Sequence, residues 1–122
     1  MKRQPSERIR ELTQNMWKKK FYAVFWDGKG ADLGPLLADH LQYMIDIERQ
    51  GKMLGSGPLD FGKTSDGMTI LRVGGETEAR EIASNDPFVK NGVRTFTIRE
   101  WMVMEGSFSV TVNFSDRSIE ID

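Results

Sequence analysis

Phe21-Tyr22-Ala23-Val24-Phe25-Trp26-Asp27-Gly28-Lys29-Gly30 leads into Leu33, Leu36, Leu37, His40, Leu41, Met44 and Ile45, spaced by threes and fours. Residues 21–26 are aromatic or apolar on both alternating faces, which predicts a strand covered on two sides. Asp27 to Gly30 reads as a turn. The spaced residues form one stripe of a helix, and such a stripe is expected to face the core. Asp32 or Gly34 can cap this helix, Pro35 is tolerated in its first turn, and Gly51 is placed to end it. The only histidine of the chain therefore sits where a leucine would pack more easily. An imidazole titrates near neutral pH, so this placement suggests a proton-transfer or ligand-orienting group. The plainer alternative is a core histidine satisfied by a backbone carbonyl.

Working outward, Lys52 to Leu59 predicts a second strand closed by Gly57-Pro58, and Met68 to Val73 a third. Gly74-Gly75 opens a second helix with Glu76 to Ser84 as its body. Asp86-Pro87 ends it, because a proline disfavours the α conformation in the residue before it. Phe88 and Val89 follow, Asn91-Gly92 turns the chain, and Val93 to Met104 is a long fourth strand. The order β-α-β-β-α-β is the split pattern of ferredoxin-like folds, so an α+β domain with an antiparallel sheet is expected. Both helices of such a unit cover one face of the sheet, and the other face needs a cover of its own. The first and third strands carry apolar residues on both faces, which predicts sheet-to-sheet pairing of two copies. The competing solution is intramolecular, with a terminal segment folded over that face.

Residues 1–19 read as a helical arm, with Ile9, Leu12 and Met16 on one face among Arg and Lys. Its basic run reads as a solvated face, the alternative being a nucleic-acid or membrane contact. Residues 105–122 read as a β-hairpin extension. Phe108, Val110, Val112 and Phe114 alternate with polar residues as in a half-buried strand, and Ile119-Glu120-Ile121 pairs back.

Composition narrows the function classes. The chain has 122 residues and a formal net charge of −1, which fits one domain without a field for nucleic acid or an anionic membrane. There are no cysteines, which excludes thiolate metal sites and a cysteine nucleophile and fits a cytoplasmic protein. One histidine without cysteine does not supply a transition-metal set within one chain. No stretch approaches the ~18 apolar residues of a membrane helix, and Ile9 to Trp17 is too interrupted for a signal peptide. The glycine fingerprint of dinucleotide sites, the G-x-S-x-G elbow and the aromatic signature of RNA-recognition domains are all missing.

Several residue types can build a ligand site. Ser56, Gly57 and Pro58 can form a rim where glycine admits a ligand to the backbone. Arg99 can grip an anion with its two-pronged guanidinium. Trp26, Phe88 and Trp101 can line an apolar cavity, or be plain core.

The strand Phe21–Trp26, Asp39-His40-Leu41 within the first helix, Gly51-Lys52-Met53-Leu54 and Gly55-Ser56-Gly57-Pro58-Leu59 come in a fixed order. Asn85-Asp86-Pro87-Phe88-Val89 and Phe96-Thr97-Ile98-Arg99-Glu100-Trp101 complete the set. Over about residues 20–104 this set resembles the YCII-related domain family. The resemblance implies a ferredoxin-like α+β fold that dimerises as an α+β barrel, with a pocket holding His40 and Asp86. Some members of that family act on chlorinated muconolactones, removing halide. The segments 1–19 and 105–122 depart from the family pattern as additions. The expected activity is cofactor-free proton transfer, elimination or dehalogenation on a small anionic molecule, with His40 as general acid/base and Asp86 orienting it. The alternative is a non-catalytic module that binds a small molecule or a partner protein in the same pocket.

Overall fold

The computed structural model describes residues 4–121. The first three positions of the basic arm, and Asp122, lie outside the described residues. In chain order the elements are α1 (Pro5–Thr13), β1 (Lys19–Asp27), α2 (Gly34–Arg49), β2 (Met53–Pro58) and β3 (Gly67–Leu71). They continue with α3 (Glu76–Ser84), α4 (Pro87–Lys90), β4 (Thr95–Val103), β5 (Val110–Val112) and β6 (Ile119–Ile121). The chain forms two compact units, residues 20–102 and residues 1–19 with 103–122.

The larger unit has the ferredoxin-like α+β fold, with a four-stranded sheet in the order β2-β3-β1-β4. β3 runs antiparallel to both neighbours, pairing Val24 with Thr69 on one side and Ser56 with Thr69 on the other. Because side chains alternate along a strand, Tyr22, Val24 and Trp26 point to one face. There they join Leu71, Ile47 of α2 and Ala79, Ile82 and Ala83 of α3 in the core. The alternate residues Ala23 and Phe25, paired with Ile70 and Met68, point to the other face. Phe21 to Val24 are all buried, as a strand covered on both sides requires, whereas Phe25 stays 37% exposed.

The N-cap of α2 is Leu33, between the two expected caps Asp32 and Gly34, and it makes no side-chain cap bond. The Asp32 carboxylate accepts from the Gly34 amide at 2.9 Å, and Pro35 occupies the first turn. Gly51, at φ +75°, ends it in the left-handed conformation that glycine adopts without strain. The apolar stripe of α2 departs from expectation. Its buried line is His40, Met44 and Ile47, while Leu37, Leu41 and Ile45 remain exposed. Helical period reports which side is apolar; it does not distinguish a side pressed on the core from one that borders a cleft.

Three further differences concern short elements. The segment after Asp86 is a one-turn helix, α4, which the sequence reading left without structure. α1 stops at Thr13, so Met16 falls beyond it, and Ile9 and Leu12 are exposed. β5 is shorter than predicted. It pairs with β6 through Val110–Ile121 and Val112–Ile119, yet Phe108, Val110, Val112 and Phe114 are all exposed rather than half-buried. A two-stranded ribbon buries little by itself.

Candidate active site

The site grows from the break between α3 and α4. Pro87 forces Asp86 into extended backbone at φ −61°, ψ 134°, and Asp86 becomes the N-cap of α4. One carboxylate oxygen, Oδ1, accepts from the Phe88 amide at 2.9 Å. The other, Oδ2, lies 2.5 Å from Nδ1 of His40 on α2. That is shorter than the ~2.7–2.9 Å usual for a charge-assisted N–H···O bond. Asp86 is fully buried, and burying a carboxylate without partners is costly. Its two bonds, one to a helix end and one to an imidazole, offset that cost. The ring of Phe88, also fully buried, stacks on the His40 imidazole at 4.6 Å between centroids. Position and rotation of His40 are thereby fixed from two directions.

With Nδ1–H given to the carboxylate, Nε2 is left as the basic nitrogen. Among the described residues no group bonds to it. His40 borders an open cleft of about 700 Å³ between α2 and the β2–β3 edge. Leu37, Leu41, Met44 and Ile45 of α2 form one wall. Gly55, Ser56, Gly57 and Pro58 of β2 form the other, and Trp26, Gly67 and Arg94 also border it. The register of β2 on β3 slips between Met53 and Gly55, a bulge of the kind that re-aims side chains beside a site. Beyond it, Ser56 stands opposite Thr69. The Trp26 indole N–H donates to Thr69 Oγ1 at 2.8 Å, and Thr69 and Ser56 share a hydrogen bond at 2.7 Å. An indole only donates. Either hydroxyl can be the donor of the bond they share, and each also lies 3.9 Å from the Met44 sulfur.

The structure brings His40, Asp86, Trp26, Ser56, Gly57 and Pro58 together, with Asp86 behind His40 rather than in the cleft wall. The other three expected ligand residues do not border this cleft. Phe88 does not line the cavity; it is sealed beneath the imidazole. Arg99 and Trp101 border a shallow groove with Ala23, Phe25, Met68 and Ile70, on the sheet face away from the helices. Alternation along β4 is the reason: Phe96 and Ile98 pack on the core, so Arg99 and Trp101 point the opposite way. The same parity carries Arg94, one residue before β4, to the helix side. That signal was present in the sequence, and Arg94 is the cleft residue the sequence reading missed.

Electrostatics follow from burial. The Tyr43 phenol, which donates to the Ile82 carbonyl at 2.8 Å, is raised above its usual value by desolvation and by the Asp86 charge. The Arg94 guanidinium is lowered by desolvation, while the charges of Asp86 and Asp66 pull it back up. Among the described residues, no three His, Cys, Asp or Glu side chains gather as metal ligands. No described helix is long and apolar enough to cross a membrane.

The larger unit is thus a small α+β domain of ferredoxin-like fold, with a histidine–carboxylate pair beside an open apolar cleft. The profile of the YCII-related domain matches residues 21–102, and the chain belongs to that family. Among solved structures it is similar to the 5-chloro-2-hydroxyhydroquinone dehydrochlorinase of Burkholderia phenoliruptrix AC1100, in complex with 2,5-dihydroxybenzoquinone. The match has a TM-score of 0.56 at 20% identity and covers 66% of this chain and 92% of that one. No curated protein sequence matches the chain.

Proposed function

We propose that this protein is a cofactor-free enzyme acting on a small, acidic, ring-shaped or lactone-like molecule, with His40 as general acid/base and Asp86 as its positioning partner. The observation that carries this reading is the imidazole at the cleft with Nδ1 tied to a buried carboxylate and Nε2 unpartnered. In an elimination, Nε2 takes a proton from a carbon next to a carbonyl. The C–H electron pair becomes the new double bond, and chloride departs with the C–Cl pair. Asp86 stabilises the imidazolium so formed, and proton transfer by a positioned acid/base such as His40 contributes ~10²–10⁴-fold. Without a leaving group the same pair returns the proton to another atom, which is isomerisation. The similar dehydrochlorinase supports this reaction class.

The catalytic domain of this reading is 20–104, with 1–19 and 105–122 as additions outside it. Two copies pair across the sheet face that carries Phe25, Met68 and Trp101. The protein works in the cytoplasm, without a nucleic-acid or membrane partner.

The test is incubation with chlorinated hydroxyhydroquinones and chlorinated lactones, with released chloride followed by a selective electrode. Turnover that vanishes in His40→Asn, in a variant that still melts cooperatively, is the expected result. Turnover surviving that substitution would sink the assignment of His40. Ligand binding without any turnover would favour the non-catalytic alternative.

A further inference from the structure

We infer that Arg94 is the anion-binding subsite of this cleft and that the ligand carries its carboxylate or phenolate oxygen at the Gly67–Pro58 end, beside that guanidinium. The inference rests on the cleft being the ligand site proposed above, and adds the charge and orientation of what enters.

Arg94 is only 6% exposed, yet it borders the cleft. Its Nε donates to the Ser65 carbonyl at 2.9 Å. Among the described residues, its terminal nitrogens meet no acceptor within hydrogen-bond distance. An arginine has five N–H donors in a rigid fork, so most of this fork is unused. The nearest carboxylates act on it through space only, for neither Asp86 nor Asp66 forms an ion pair with it. The flat side of the guanidinium rests near the Phe88 ring, 4.8 Å from its centre. That contact orients the fork without consuming a donor. A buried cation so poorly paired is costly, and an anion arriving in the cleft would offset that cost.

Space for such an anion is that of the open cleft itself, which Arg94 borders together with Gly57, Pro58 and Gly67. A side chain on Gly67 would reach within 3.6 Å of the Arg94 Nη2 and press on the Gly57 carbonyl at 3.2 Å, so a larger residue there would crowd the approach to the guanidinium. The other end of the cleft has the opposite sign. Glu48 borders it there, two turns beyond His40 and therefore ~12 Å along the helix. The apolar cleft thus carries opposite charges, basic at Arg94 and acidic at Glu48. His40 and Arg94 both pack on the Phe88 ring, the imidazole centroid at 4.6 Å and the guanidinium carbon at 4.8 Å from its centre. Both also border the same cleft, so the proposed ligand has its anion on Arg94 and its reacting carbon toward His40.

The experiment uses benzoate and benzamide, a charged and a neutral probe of nearly equal shape. A single histidine gives a single imidazole signal, so each titration is followed by NMR at His40 itself. The full-length protein is expected to bind benzoate at least tenfold more tightly than benzamide, a difference of about 1.4 kcal/mol. Arg94→Gln should abolish that preference, Arg94→Lys should keep part of it, and Arg99→Gln should leave it intact. If Arg94→Gln does not fold, the benzoate preference of wild type and of Arg94→Lys decides the matter. Equal binding of the two probes, or a preference that survives in Arg94→Gln, overturns the inference while leaving the cleft and His40 in place. No shift of the His40 signal by benzoate up to about 10 mM also overturns it. Chloride release then decides separately whether the proposed enzyme stands.

Discussion

The two faces of the four-stranded sheet are made from alternate residues of the same strands, yet they differ in kind. Toward the helices, Trp26, Thr69 and Ser56 are wired by hydrogen bonds, and His40, Asp86 and Arg94 lie close by. Away from the helices, Phe25, Met68, Ile70 and Trp101 make a surface of carbon, with Arg99 at its margin. The buried polar residues described are His40, Ser65, Thr69, Asp86 and Arg94. Each belongs to the cleft or bonds to something that does. Burying polar groups rarely improves stability over an apolar core. Their concentration on one face sets that side of the sheet apart as polar and cleft-forming, while the other face is apolar and is the one through which the proposed pairing of copies would run.

The comparison can be broken most severely at His40. His40→Gln keeps the approximate volume and removes the acid/base, and should lower turnover by ~10²–10⁴-fold, or about 3–5 kcal/mol of barrier. Circular dichroism should show the fold intact. Asp86→Ala comes next. It removes the N-cap of α4 and the partner of the imidazole together, and is expected to cost ~3 kcal/mol or more in urea unfolding. A loss below ~1 kcal/mol would mean that Asp86 is far less coupled than its two bonds imply. On the other face, Phe25→Asp with Met68→Asp should convert dimer to monomer in sedimentation velocity, because charge in an apolar interface is strongly disfavoured. Probe affinity at His40 should stay within about twofold in that variant. The smallest effect is expected from Trp26→Phe. It keeps an aromatic body and deletes the N–H given to Thr69, for about 1 kcal/mol of stability.

Much of the layout was legible in the residues. Alternation in Phe21–Trp26, the Gly-Pro and Asp-Pro breaks and the spacing around His40 gave the βαββαβ order, because each reflects a local preference. Less legible was anything that depends on what stands opposite. The stripe of α2 splits between core and cleft, and period alone carries no sign of that. A turn as short as α4 has too few residues to show a period. The pairing of His40 with Asp86 spans two helices, and only the family resemblance placed the two together. Arg99 and Trp101 were named as ligand residues without regard to face, although the parity of β4, anchored by Phe96 and Ile98, separates them from Arg94. Strand alternation is a strong rule, and applying it to the charged residues as well as the apolar ones would have found the buried arginine.

One carboxylate closes both a helical turn and the imidazole, and this ties the setting of His40 to local unfolding. Any fluctuation that frays the start of α4 releases the Phe88 amide to solvent and at the same moment loosens the His40 ring. Deuterium uptake at that single amide therefore keeps time for the pair: its protection factor counts how often the imidazole is momentarily without its partner.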